Sequence, residues 1–272
     1  MIAARPRVTD AWLRLREPAD AAARDLELVE HLRRRPPASG CHVIHDLGSG
    51  TGSMGRWLAP LLPGPQRWIL HDQDEELLES AATERLAAAD GASVVVETRR
   101  SDVTLLDAHD LSGASLITAS ALLDLLTRDE LEGMISAWAK VGCPVFLSLS
   151  VVGRVELAPA DPLDRNLAAA FDAHQRRMTP RGRLLGPDAV DVAVEGSRRR
   201  GAEVVERPTP WRLGAAEADL AIEWLAGWIG AACEEAVELA AVARSYGARR
   251  LSEARSGELA VTVHHADVLV LP

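Results

Sequence analysis

Residues 42–62 constrain the fold of this chain more than any other stretch. His42-Val43-Ile44-His45-Asp46-Leu47 has the length and apolar content of a buried β-strand, and residues 53–62 carry apolar side chains at helical spacing. Between them stand Gly48, Gly50 and Gly52, alternating with Ser49 and Thr51. Glycine permits positive φ and lets another group approach the backbone closely. A strand that ends in alternating glycines and turns at once into a helix therefore makes a cradle for a ligand. In an open parallel sheet such cradles lie at the carboxyl ends of the strands.

The rest of the 272-residue chain supplies the partners such a strand needs. Strand patterns at 67–71, 92–97, 116–119 and 145–150 alternate with helical patterns at 53–62, 75–88 and from Thr127 onward, where Leu131, Met134, Ile135 and Trp138 recur at helical spacing. Asp74 has the position of a helix N-cap, and Thr127 with Glu130 has the spacing of a capping box. This alternation predicts an α/β fold, a doubly wound, mostly parallel sheet with helices on both faces. Residues 9–35 read as helical, with Pro18 expected to break or kink the run. Residues 151–186 hold Pro159, Pro162, Pro180, Gly182 and Gly186 around a helical pattern at 163–178, which reads as an insertion after the fifth strand. A helix at 187–200, a strand at 202–207, two long helices at 217–230 and 233–255 and a last strand at 259–271 complete the chain.

The glycine loop has two readings. Gly50-Thr51-Gly52-Ser53-Met54-Gly55 matches the dinucleotide pattern GxGxxG, with Asp72 near the place of a ribose acid. Asp46, however, would set a negative charge close to a pyrophosphate, and suits a ligand with an ammonium and a sulfonium better. Tyr246 is followed by Gly247-Ala248-Arg249-Arg250, so the Tyr-x-x-x-Lys pair of short-chain dehydrogenases is absent.

In the other frame, Asp46-Leu47-Gly48-Ser49-Gly50-Thr51-Gly52 resembles motif I of class I S-adenosylmethionine (SAM)-dependent methyltransferases, D-x-G-x-G-x-G. Trp68-Ile69-Leu70-His71-Asp72-Gln73-Asp74 resembles that family's second strand with its ribose-binding acid. Ser101-Asp102-Val103 resembles its G-D-A segment, with serine in place of the glycine, and residues 116–123 its fourth-strand segment. The resemblance covers residues 40–150 well and 187–272 in outline. It implies a Rossmann-like, seven-stranded sheet whose last strand is antiparallel, with SAM as cofactor. It places Gly48, Ser49, Gly50, Thr51 and Gly52 under the methionine and ribose, and Asp46 toward the ammonium or as a support of the loop. Asp72, beside Gln73, would take the ribose hydroxyls, Asp102 and Val103 the adenine, and Ser120 the methionine end. The chain then divides into an N-terminal helical lid (1–40), a SAM-binding core (41–150), an inserted substrate-side segment (151–186) and a C-terminal part with a two-helix insertion (187–272).

Methyl transfer to a hydroxyl or amine is helped by a base. His174 and Asp124 are the candidates. His174 reads equally as a helical histidine beside arginines, and Asp124 as a helix cap. Arg154 could hold an acidic acceptor or lie solvated, and Arg14 and Arg16 could reach the cofactor carboxylate. Trp211, Trp224 and Trp228 read as helix packing before they read as a pocket lining. His45 and His71 read as hydrogen-bonded residues of buried strands. A net charge of −10 and the lack of a basic arm argue against a nucleic-acid partner and for a small-molecule acceptor. An NAD(P)-binding oxidoreductase, a non-catalytic SAM-binding protein and a polymer-directed enzyme remain alternatives. Cys41, Cys143 and Cys233 are isolated, and the histidines are scattered, so no metal site is expected. No run is apolar enough to cross a bilayer and the first residues lack a secretory pattern, which places the expected protein in the cytoplasm. Oligomeric state is not written in the sequence.

Overall fold

The computed structural model describes residues 8–272; Met1 to Pro6, read above for a targeting signal, lie outside them. Two helices come first, α1 (Asp10–Ala23) and α2 (Leu26–Arg33). The alternating core follows: β1 (His42–Leu47), α3 (Ser53–Leu58), β2 (Gln66–Asp72), α4 (Glu75–Ala82), β3 (Val94–Arg100), β4 (Leu116–Ser120), α5 (Arg128–Val141) and β5 (Val145–Ala158). Then come α6 (Asp164–Gln175), a small hairpin of β6 (Met178–Thr179) and β7 (Gly182–Arg183), α7 (Ala189–Arg199), β8 (Glu203–Pro208), β9 (Trp211–Leu213), α8 (Ala218–Glu235), α9 (Ala240–Ser256) and β10 (Ala260–Leu271).

The sheet runs in the order β3-β2-β1-β4-β5-β10-β8, with β10 antiparallel to both neighbours and β9 added as a short strand on β10. This is the Rossmann-like, mostly parallel arrangement with an antiparallel last strand expected from the sequence. The main path has the seven expected strands. The additions are β9 and the β6–β7 hairpin, too short to leave a strand pattern.

Side chains alternate across the sheet with the period of two that strands impose. Val145 and Leu147 pack on one face with Leu131, Ile135 and Trp138 of α5 and Val190 and Val194 of α7. Phe146 packs on the other face with Leu28 and Leu32 of α2, Leu58 of α3 and Trp68 of β2. A third core forms where β5 and β10 run on beyond the rest of the sheet: Leu157, Val261 and Val263 meet Leu167 of α6, Leu225 and Trp228 of α8 and Tyr246 of α9. The stretch set apart from residue 151 onward thus begins inside a 14-residue strand, because β5 continues to Ala158 against β10.

One more expectation needs correction. Pro18 does not break the first helix, which continues to Ala23. The break comes at Arg24-Asp25, where Asp25 caps α2 by accepting from Leu28 N at 3.0 Å. The crossover from β3 to β4 holds a single 3₁₀ turn, Val103–Leu105, and no α-helix. That face keeps a cleft of about 340 Å³ lined by Val43, His45, Ile69 and Arg99. The capping box of α5 is present: Thr127 N donates to Glu130 Oε2 at 2.8 Å and Glu130 N to Thr127 Oγ1 at 3.3 Å. Asp74 caps α4.

Candidate functional site

The carboxyl ends of β1, β2 and β4 meet at the glycine turn. Gly48, Gly50 and Gly52 have φ of +67°, +53° and +80°. The space above the turn is as restrictive as the dihedrals. A Cβ on Gly48 would stand 3.0 Å from the Leu122 side chain, and one on Gly50 3.0 Å from Leu13 of α1. The turn is pinned by Gly48 N and Ser49 N, which both donate to His71 O at 2.8 and 3.0 Å. Asp72, the last residue of β2, accepts from Gly50 N at 2.8 Å through Oδ2 and from Asp74 N at 2.9 Å through Oδ1. Each oxygen retains a second lone pair for another donor. Thr51 is buried, and Arg56 donates to its carbonyl and hydroxyl while pairing with Glu17 of α1. The first helix is thereby tied down over the turn.

Asp46 is 1% exposed. Its Oδ1 accepts from Thr118 Oγ1 at 2.7 Å, and its Oδ2 has no hydrogen-bond partner among the described residues. Burial pushes the carboxyl up to about 6, against the opposing pull of the Thr118 bond and the Arg24 charge. Ser49 Oγ is likewise buried without a partner.

Arg24, which sequence reasoning missed, brings the opposite charge to the same place. It is 4% exposed and lies in the break between α1 and α2. Its guanidinium donates to Ser120 Oγ at 3.1 Å and Ser148 Oγ at 3.3 Å and lies over the Trp57 ring at 5.3 Å. Nη1 has no hydrogen-bond partner among the described residues. Burial holds the Arg24 pKa below its usual value, while Asp20, Asp267 and Asp46 raise it from a distance. The arginines singled out in the sequence are engaged elsewhere. Arg16 makes a bidentate pair with Asp20 at 2.9 and 3.1 Å and lies over Trp211, and Arg14 bonds Asp10 and Ser80. Two non-glycine residues with positive φ border the site, Ala121 (+50°) after β4 and Leu149 (+55°) in β5. Such backbone strain tends to gather where a ligand is held.

The remaining candidates are placed as follows. Ser101 N donates to Asp72 O at 2.9 Å, which sets Asp102 and Val103 next to the end of β2. Asp102 Oδ1 accepts from Thr104 N and Oγ1, so it caps the 3₁₀ turn, and Val103 is buried within that turn. Gln73 is exposed. Asp124 lies in a half-buried turn after β4, where burial pushes its carboxyl up to about 6 and the charges of Arg16 and Arg177 partly oppose that rise. His174 lies in the last turn of α6 and meets Glu234 of α8 at 3.2 Å, a contact between two helices. Arg154 pairs with Glu156 on an exposed face of β5. Trp211 donates to Asp20 Oδ1 at 3.0 Å, and Trp224 stacks on Trp228 with centroids 5.3 Å apart, as helix and strand packing. His45 Nδ1 and His71 Nε2 are 3.0 Å apart, and His71 Nδ1 lies 3.1 Å from Ser101 Oγ. Both rings are pushed down to about 4 by burial and are neutral. Among the described residues no group of three His, Cys, Asp or Glu is placed to hold a metal, and no helix is long and apolar enough to cross a membrane.

The topology and the glycine turn define a Rossmann-like fold whose strand order reverses between β1 and β4, the switch point at which such a sheet has its crevice. No protein-family model matches the sequence, and no curated protein matches it. Solved structures do. The chain is similar to the cyclopropane synthase MmaA2 from Mycobacterium tuberculosis, with a TM-score of 0.50 and 12% identity over 97% of this chain and 94% of that one. Mycolic acid cyclopropane synthase CmaA1, solved with SAH and CTAB, gives a TM-score of 0.49 at 14% identity over 96% and 94%. A SAM-dependent methyltransferase from Thiobacillus denitrificans, solved with S-adenosyl-L-homocysteine, gives 0.46 at 14% identity over 97% and 98%. At these identities the likeness is one of fold, and MmaA2 is the comparison that carries it.

Proposed function

We propose that the crevice holds S-adenosylmethionine and that the chain is a methyltransferase acting on a small-molecule acceptor. The observation that carries this reading is a pair of buried, opposite, unpartnered groups beside the glycine turn, Arg24 Nη1 and Asp46 Oδ2. A buried charged group without its hydrogen-bond partner is costly, so each calls for a ligand atom of opposite character. An amino-acid end with both carboxylate and ammonium satisfies the two together. A pyrophosphate would satisfy the guanidinium and be repelled by Asp46. The motif resemblance of Asp46 to Gly52 supports the same ligand.

The residues present fit this cofactor. Arg24 and Ser120 would meet its carboxylate and Asp46 its ammonium, the latter requiring the ionised form. Asp72 would accept from the ribose hydroxyls, and Asp102 and Val103 would face the adenine. The cofactor supplies a methyl group already activated on a sulfonium. What the chain must supply is alignment and exclusion of water. Leu13 and Leu122 close over the glycine turn, and the strained peptides at Ala121 and Leu149 fix the strand ends around it.

The test is calorimetry with S-adenosylhomocysteine on the native chain and on Asp72→Ala. Binding to the native chain is expected, and the variant should bind about 5- to 150-fold more weakly, the equivalent of about 1–3 kcal/mol for a lost buried partner. Equal affinity in both would refute the ribose role, and heat with NADH but none with S-adenosylhomocysteine would refute the cofactor.

For the proton step, the raised carboxyl of Asp124 supports it as the base ahead of His174, whose ring is engaged by Glu234. A base acts in its deprotonated form, so turnover should rise with pH through about 6 and level off above it. In Asp124→Asn that limb should disappear with most of the turnover, while S-adenosylhomocysteine affinity stays. A pH profile unchanged in Asp124→Asn and abolished in His174→Ala would transfer the role to the histidine.

A further inference from the structure

A cavity of about 150 Å³ lies between α5 and α7, against the first residue of β5 and the end of β10. Val145 and Val270 face each other across those strands at the end of the sheet opposite the glycine turn. From Val145 to Ser148, which Arg24 meets at the site, is three residues of strand, so the cavity is separated from the carboxyl-end crevice by about 10 Å of sheet. Its lining includes Ile135, Trp138, Cys143, Ser197, Arg200 and Val270.

Two features make this more than a packing gap. Trp138 Nε1 and Ser197 Oγ both belong to lining residues that are 3% exposed, and neither has a hydrogen-bond partner among the described residues. One comes from α5 and the other from α7, so the two helices each present an unused donor to the same space. The third polar lining side chain, the Arg200 guanidinium, is also a donor, and Pro272, the last residue, completes the wall beside Val270. Arg200 is held in place by Glu132 at 3.1 Å and by Gly196 O at 3.0 Å. A cavity of this volume with aliphatic and aromatic walls accommodates a molecule the size of benzene. Trp138 Nε1 can only donate and Ser197 Oγ can donate, so an end group made of acceptors would satisfy both together.

We propose that this cleft is a second small-molecule site, separate from the crevice, that takes a compact carboxylic acid with an aromatic or branched apolar body. The ring or branch fills the space between Ile135 and Val270, and the carboxylate accepts from Trp138, Ser197 and Arg200. The site neither uses nor requires the cofactor crevice, so it stands or falls independently of the methyltransferase reading.

The experiment is titration of the full chain, labelled at its tryptophan indole nitrogens, with benzoate and separately with 3-methylbutanoate, followed by nitrogen–proton correlation spectra. The Trp138 resonance is identified by its loss in Trp138→Phe. It is expected to shift saturably with benzoate, and benzyl alcohol, which lacks the carboxylate, should bind more weakly. Ser197→Ala should weaken benzoate binding about tenfold, in line with the loss of one hydrogen bond to a charged group. This variant keeps the proposal testable if Trp138→Phe perturbs the packing of α5. A Trp138 resonance that neither acid moves overturns the proposal. So does benzoate binding that is equal in Ser197→Ala and no tighter than that of benzyl alcohol, or a crystal of the benzoate-soaked chain with only water on both donors.

Discussion

Replacing Arg24 by methionine is expected to weaken S-adenosylhomocysteine binding between about 10- and 100-fold while leaving the melting temperature of the free chain unchanged or raised. The two halves of this expectation come from the same observation. Arg24 is a buried cation that meets two serine hydroxyls and an aromatic ring, with Nη1 left over. Desolvating a guanidinium costs several kcal/mol, and the free chain recovers only part of that. Methionine has a similar length and no charge, so the free protein should lose little by the exchange, as buried ions replaced by apolar groups generally do not destabilise. The proposed ligand carboxylate would lose a charge-assisted hydrogen bond, worth about 1.5–3 kcal/mol. Calorimetry gives the affinity and thermal denaturation gives the stability. Unchanged affinity would remove the carboxylate contact from the proposal. A melting temperature lowered by many degrees would mean that Arg24 is there to hold α1, α2 and the sheet together.

Arg24 also shows where the sequence stopped being readable. The helical stripe Trp12, Leu15, Ala19, Ala23 ends where the stripe Leu28, Val29, Leu32 begins, and Arg24 stands at the join. Placing the break at Pro18, on the general rule that proline ends a helix, put Arg24 inside a helix and hid it. The structure keeps α1 intact past Pro18 and turns the chain at Asp25, whose side chain supplies the cap. What local rules could carry was legible: the strand–glycine–helix order, the capping box at Thr127 and Glu130, the cap at Asp74, and the short apolar strands of a sheet covered on both faces. The glycine turn could be assigned because positive φ leaves a mark in the sequence. The same conformation at Ala121 and Leu149 leaves none, since those residues are held in it by their surroundings. Orphaned atoms are still less visible. That Asp46 Oδ2 and Arg24 Nη1 lack partners depends on what the tertiary fold fails to bring, and no pattern along the chain records an absence of that kind.

The largest effect on stability is expected from Asp267→Ala, about 3–5 kcal/mol lost and a melting temperature lower by about 10 °C. Asp267 is fully buried in β10. Its Oδ1 accepts from Leu149 N at 2.8 Å and from Thr209 Oγ1 at 3.1 Å, and its Oδ2 accepts from Asp25 N at 3.0 Å. One carboxylate thus joins the start of α2, the positive-φ peptide of β5 and the connection from β8 to β9. Alanine leaves the buried Leu149 N–H, the half-buried Asp25 N–H and the buried Thr209 hydroxyl without that acceptor, each at up to about 1–3 kcal/mol before relaxation. Leu149 limits the loss: a leucine at φ +55° is strained by about 1–3 kcal/mol, and its relaxation once the bond to Asp267 is gone would return part of that. Burial raises the Asp267 pKa, so the ionised form is itself held at some cost. Asparagine, uncharged and with one acceptor oxygen, should therefore recover part of the stability that alanine loses. The order native, Asp267→Asn, Asp267→Ala in denaturant unfolding is the expected result. An alanine variant as stable as the native chain would mean that Leu149 and Asp25 find other acceptors, and that the strand end bordering the crevice is not fixed from β10.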